Sequence, residues 1–166
     1  MDRKLQHVMQ LLPIIALIAL ATVATSCRRL PTSKTITSVA AASGANLQIY
    51  LRGSYDTSFL GLEVREAGKA PKFYWIAASP YVDFGALKLR VELSEDKRML
   101  WITGTSRNVA SIDAAYDDAN DRFYTKSGVA RQASTTPDMD TMHFEGAAFP
   151  SRVEKTSVVF DQVVSE

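Results

Sequence analysis

A single cysteine, Cys27, occurs in the whole chain, so no intrachain disulfide can form and stability has to come from a packed core. Histidine is nearly as scarce, with His7 near the start and His143 near the end. Paired histidines or cysteines at zinc-ligand spacing are therefore missing. A Ser-His-Asp triad would depend on His143, which sits in Met142-His143-Phe144-Glu145, an extended pattern without the Gly-x-Ser-x-Gly turn that exposes a nucleophile. An excess of one charge is lacking too: 19 Lys and Arg stand against 18 Asp and Glu. Proteins that hold nucleic acid concentrate positive charge, so nucleic acid is not an expected partner. The Gly-Lys pair between Gly61 and Lys69 is no phosphate loop, because six residues separate Gly61 from Gly68 and Ala70 stands where the motif needs Ser or Thr.

A long apolar run is also absent. The segment from Leu11 to Ala24 is roughly 14 residues long against the about 20 that span a bilayer, and it contains Pro13. Arg3 and Lys4 precede it and the small residues Ala24-Thr25-Ser26 follow it, just before Cys27. That order describes a secretory signal peptide over residues 1–26, not an element of the fold. The leader holds Asp2, Arg3 and Lys4, so its removal brings the two charge counts level.

The string Val23-Ala24-Thr25-Ser26-Cys27 resembles the lipobox of bacterial lipoproteins, in which small residues precede a cysteine that is diacylated on sulfur and becomes the mature N-terminus. The resemblance covers the leader alone, and Ala24 occupies the position where that family usually carries Leu. It implies lipidation of Cys27, a membrane partner reached through that anchor, and residence in the bacterial cell envelope. Arg28 follows the cysteine in place of the Asp that retains some of these lipoproteins in the inner membrane, which favours the outer membrane facing the periplasm. A lone cysteine suits this reading, since an exported free thiol would be open to oxidation. Cleavage after Ser26 by the general signal peptidase, giving a secreted or periplasmic domain, is the alternative, because Ala24-x-Ser26 suits that enzyme as well. A leader retained as a membrane anchor is a third reading.

The rest divides into an anchor and tether over residues 27–34, polar and basic with Pro31, and one globular domain over residues 35–166. Within it, Leu87, Leu89, Val91 and Leu93 alternate with Lys88, Arg90 and Glu92, a period of two that makes one strand face apolar. A Ser94-Glu95-Asp96-Lys97 turn leads to a partner strand, Arg98 to Thr105. Leu47, Ile49 and Leu51, then Leu60, Leu62 and Val64, predict a second hairpin, and Lys72 to Ala78 a more buried strand. Residues 106–120 suit either one short helix or a hairpin, and the Asp-rich turn at 117–121 favours the hairpin, leading into a strand at Arg122 to Lys126. Ser127 to Thr141 reads as a long surface loop. Met142 to Phe149 and Thr156 to Val164 read as closing strands. The expected fold is all-β, a single antiparallel sandwich or small barrel of about eight or nine strands after a signal helix.

Chemistry-bearing patterns are few. Asp113, Asp117, Asp118, Asn120 and Asp121 lack the central glycine and the spacing of a calcium loop and read as a solvated turn. Asp138, Asp140 and Glu145 supply carboxylates for glycoside hydrolysis if they flank a cleft. Tyr74, Trp75, Tyr81, Phe84 and Trp101 make either core or an aromatic platform for sugar or peptide. No catalytic residue, metal or cofactor is assigned. The sequence is thus read as a lipid-anchored binding or accessory domain whose partner is an envelope protein or cell-wall ligand. Its candidate binding positions are Tyr81 and Phe84 in the Ser79 to Gly85 loop and Asp138 and Asp140 in the 127–141 loop, with a sheet edge as a further contact. A carboxylate-based envelope hydrolase and an inhibitor or immunity lipoprotein are the alternatives.

Overall fold

A computed structural model describes residues 32–53, 57–80, 84–109, 111–130, 133–136, 143–152 and 155–165. Four strands, β1 (Thr32–Ala40), β2 (Asn46–Gly53), β3 (Thr57–Arg65) and β4 (Lys72–Pro80), form an antiparallel meander in chain order. Seven more build the facing sheet: β5 (Leu87–Ser94), β6 (Met99–Thr105), β7 (Ile112–Asp117), β8 (Arg122–Thr125), β9 (Gly128–Ala130), β10 (Phe144–Glu145) and β11 (Thr156–Val164). Their spatial order is β10-β9-β8-β7-β6-β5-β11. The fold is an all-β sandwich and not a closed barrel, and no helix occurs among the described residues.

Alternation explains the packing. Leu47, Ile49 and Leu51 of β2 and Leu60, Leu62 and Val64 of β3 face Leu87, Leu89, Val91 and Leu93 of β5 and Leu100 and Ile102 of β6, all within one buried cluster. Each such side chain contributes about 1.5–3 kcal/mol relative to exposure. The segment expected as helix or hairpin is β7, paired to β8 around the turn at 118–121, so the hairpin holds and the helix does not. Its Ile112, Ala114 and Tyr116 point into the core, because a strand period, not a helical one, matches the facing sheet.

Other expectations need correction. Thr32 to Lys34, read as tether, already belong to β1. The 127–141 loop contains β9, and Ser134 bridges to Phe73 with reciprocal 2.9 Å backbone hydrogen bonds. The closing strand expected over Met142 to Phe149 is confined to Phe144 and Glu145. Beyond it Gly146, Ala147 and Ala148 offer little side chain to pack, and Pro150 offers no amide to a ladder.

Every long edge is interrupted. Register shifts occur between Thr35 and Thr37 in β1, between Trp75 and Ala77 on the β4 side of its pairing with β3, and between Val158 and Phe160 in β11. The extra residues are Ile36, Ile76 and Val159, and each packs against the core. A bulge turns the local strand and spoils the flat row of amides that another chain would pair with. The fourth edge, β10, is two residues long.

The chain also crosses its own sheet. β10 and β11 lie at opposite edges with five strands between them, a distance of roughly 29 Å at about 4.8 Å per strand. The connection after Glu145 must cover it in ten residues, close to the about 33–36 Å limit of an extended chain. The inner face is filled, so the crossing runs over the outer one. There Arg152 meets the Glu92 carboxylate at 2.7 Å and Arg90 holds its other oxygen at 3.1 Å. Trp101, register partner of Glu92 and Ala115, shares this outer row yet is only 1% exposed. β10 itself depends on Gly128, with φ of 128°, since a Cβ there would stand 1.9 Å from the Glu145 carbonyl oxygen.

Candidate functional site

The outer face of the four-stranded sheet carries side chains that core packing does not explain. Along β2 they are Gln48, Tyr50 and Arg52; along β3, Phe59, Gly61, Glu63 and Arg65; along β4, Phe73 and Trp75. The register sets Gln48 opposite Glu63, Tyr50 opposite Gly61 and Arg52 opposite Phe59, while Phe73 lies opposite Glu63 and Trp75 opposite Gly61. Their alternation partners Leu60, Leu62 and Val64 fill the core, so these residues face outward by the pleat.

Gly61 makes the arrangement feasible. A Cβ there would lie 2.4 Å from Tyr50 Cζ, so the missing side chain is the seat in which the Tyr50 ring lies across β3. Tyr50 and Phe73 meet edge to face with centroids 6.3 Å apart and, with Trp75 packed on them, form a second apolar cluster separate from the core. Phe59 and Trp75 are tilted against each other at 5.3 Å, both half-buried. The Trp75 indole N–H donates to the Ala77 carbonyl at 3.1 Å, which fixes the ring.

Beside this aromatic strip lies a groove of about 330 Å³ lined by Ser33 and Thr35 of β1, by Gln48, Arg52, Glu63 and Arg65, and by the Tyr50 and Phe73 rings. Ligand sites commonly range over about 300–1,000 Å³. Arg65 Nε donates to Glu63 at 2.6 Å, and that hydrogen bond and charge hold the guanidinium above its ordinary pKa. Gln48 donates its amide to the Thr35 hydroxyl. Planar donors, Arg52 and Arg65, a planar acceptor, Glu63, and the Gln48 amide, which does both, thus line the groove.

A groove of about 430 Å³ on the seven-stranded sheet is lined by Lys88, Arg90, Asp113 and Asp161 among others. Its charges largely answer one another, Arg90 to Asp161 at 2.8 Å and Lys126 to Asp113 at 2.7 Å, so it offers a ligand less.

The acidic run is divided among separate tasks. Asp117 accepts from the backbone of Ala119 and Asn120 in the turn. Asp118 accepts from the Ser43 amide and hydroxyl at 2.8 and 2.7 Å, tying the β1–β2 turn to the β7–β8 turn. Asp121 accepts from Tyr116 at 2.8 Å, from Tyr74 at 3.4 Å and from Lys72. Burial opposes its ionisation, but hydrogen bonds from Lys72 and Tyr116 and the lysine charge outweigh that and hold the carboxyl below the usual carboxylate range. Burial first, and the same carboxylate second, push both tyrosines above theirs. No cluster of three His, Cys, Asp or Glu suited to a metal occurs among the described residues.

Of the positions singled out from sequence, Cys27, Tyr81, Asp138 and Asp140 lie outside the described residues. Phe84 is described and is fully buried in the core cluster, so this arrangement does not present it to a ligand. Tyr74 and Trp101 are buried as well, and of the four described aromatics singled out from sequence Trp75 alone takes part in the outer strip. His143 is exposed ahead of β10. The sequence reading missed Tyr50, Phe59 and Phe73. Their signal was present: Tyr50 and Phe59 occupy the polar phase of otherwise clean alternating strands, where an aromatic ring is out of place unless it serves that face. Comparison with protein-family models, with curated proteins and with solved structures gives no match.

Proposed function

We propose that this protein is a binding or accessory module of the bacterial envelope, anchored by lipid on Cys27, which presents the outer face of its four-stranded sheet to an envelope component. The observation that supports the site is the groove with Gln48, Arg52, Glu63 and Arg65 beside the Tyr50, Phe73 and Trp75 rings. Polar side chains gathered beside aromatic rings outside the main core suit a ligand that needs orientation and contact area. The anchor rests on the leader sequence and its resemblance to lipoproteins.

Two measurements test the two halves. The intact mass of the detergent-extracted mature protein is expected to correspond to a chain starting at Cys27 with added acyl mass. A start at Cys27 without that mass, or a start at Met1, overturns the lipid anchor. For the site, a photo-reactive residue placed at Gln48 of the full chain in cells is expected to give a cross-linked product, while one at Thr105, on the outer face of the other sheet, gives none. Equal products at both positions, or none at Gln48, overturn the assignment of the face.

A further inference from the structure

We infer that the groove on the four-stranded sheet takes an uncharged saccharide, a chain of flat sugar rings recognised through its hydroxyls and ring faces. This inference deepens the proposed binding role and rests on it. The charged groups of the groove are already engaged inside the protein: Arg65 holds the Glu63 carboxylate at 2.6 Å, and Arg52 has a partner of its own. A charged ligand would have to compete with those contacts. What the lining leaves open is hydrogen-bonding capacity of both kinds. Arg65 gives Glu63 its Nε–H while its side chain stays 60% exposed, which leaves the terminal N–H groups as donors. Gln48 gives an amide N–H to Thr35 and keeps its carbonyl oxygen as an acceptor. The exposed hydroxyls of Ser33 and Thr35 do both. Sugar hydroxyls also donate and accept, so a lining of this mixed kind matches them.

The aromatic strip supplies the second element. Phe59 and Trp75 stay half-buried, so part of each ring remains on the surface. The Trp75 hydrogen bond to the Ala77 carbonyl and the tilted contact with Phe59 hold both rings before any ligand arrives, so little side-chain freedom is lost on binding. A pyranose carries C–H bonds on its two flat faces, and these suit the electron-rich face of an aromatic ring. Two register rows run across the sheet from hydroxyl to ring: Ser33, Arg52 and Phe59 in one, Thr35, Tyr50 and, across Gly61, Trp75 in the other. A ligand chain lying across the strands therefore meets hydroxyls at β1 and rings at β3 and β4.

A peptide fits this face less well. Extended peptides are held chiefly by strand addition at an open edge, and bulges at Ile36 and Ile76 interrupt both edges of this sheet. Proline-rich segments dock on aromatic grooves without strand addition, but proline has no N–H, so such a segment leaves the Gln48 carbonyl and the hydroxyl oxygens of the groove unanswered.

The chain has two tryptophans, and Trp101 is buried, so a ligand stacked on this face is read by the fluorescence of Trp75. The detergent-extracted mature protein is titrated with cellohexaose and with chitohexaose, and with polygalacturonate and poly-L-proline for comparison. A saturable change in tryptophan emission is expected with at least one of the two neutral oligosaccharides and with neither comparison ligand. Gln48→Ala is expected to weaken binding by about five- to tenfold, as fits loss of one hydrogen bond. Its thermal melting is expected to match the parent, because the side chain lies outside both apolar clusters. Trp75→Phe keeps a ring, so binding measured by calorimetry is expected to persist while the emission change disappears. The inference is overturned by the absence of a response to both neutral oligosaccharides, by a comparable response to polygalacturonate or poly-L-proline, by indifference to Gln48→Ala, or by an emission change that survives Trp75→Phe. A negative result here combined with a cross-link at Gln48 in cells rejects the saccharide class and leaves the binding role standing; loss of the Gln48 cross-link rejects the role itself.

Discussion

Replacing Trp101 by alanine is expected to lower the unfolding free energy by about 3–5 kcal/mol, the range for deleting a fully buried large aromatic side chain. Domains of this kind are stabilised by about 5–15 kcal/mol in total, so the variant should be marginal at ambient temperature. The size of the effect follows from an unusual location. Trp101 stands on the solvent side of the seven-stranded sheet in the row of Glu92 and Ala115, yet it is only 1% exposed, on the same side where Arg152 of the β10–β11 connection reaches Glu92. Its indole N–H has no acceptor among the described residues. Trp101→Phe therefore removes an unsatisfied donor while keeping most of the apolar contact, and a cost below about 1.5 kcal/mol is expected. Urea denaturation followed by circular dichroism measures both. A cost for Trp101→Ala below about 1 kcal/mol would show that the crossing segment does not pack on the ring.

The second large effect concerns Asp121. Its carboxylate joins Lys72 and Tyr74 of β4 to Tyr116 of β7, so one residue in a turn ties the two sheets together at one end. Tyr74 in addition stacks on Phe123 at 4.9 Å. Asp121→Ala leaves two largely buried hydroxyls without their acceptor, leaves Lys72 with Glu66, and places alanine at a φ of 51°, which together should cost about 2–4 kcal/mol. Asn tolerates this backbone and keeps one acceptor, so Asp121→Asn isolates the charge and should cost about 1 kcal/mol at neutral pH.

The pH dependence has a defined sign. A carboxyl whose folded pKa lies below its unfolded value of about 3.9 contributes stability that is present above that value and lost as pH falls through the folded one. The stability difference between the parent and Asp121→Asn is thus expected to be constant from pH 7 down to about 5 and to shrink below about 4. A difference that does not change in acid would remove the charge from the explanation.

The core was legible in the sequence because a strand with one dry face must alternate. Leu87 to Leu93 show the period of two without interruption, and the structure pairs β5 with β6 where the Ser94 to Lys97 turn implied. β1 was not legible: it is rich in threonine, and its bulge at Ile36 breaks the alternation. β9 and β10, at three and two residues, are too short to show any period. Ser134 joins β4 through a single bridge that depends wholly on the position of Phe73.

The candidate site divides in the same way. Trp75 was recognisable as an aromatic of interest, but Phe84 and Trp101 carry the same chemistry and are buried by tertiary contacts that composition does not encode. Tyr50 acquires its place from Gly61, a residue eleven positions away whose missing Cβ matters only once β2 and β3 are in register.

By itself the sequence determined the all-β class, the hairpins of the core and the inward face of each long strand, since these follow from local periodicity and turn chemistry. Only the tertiary structure decided which outward residues are solvent-facing, which are buried on that face and which gather into a groove. That choice depends on strand order and register between segments distant in the chain, and a period of two records which face a residue occupies but not what lies over that face.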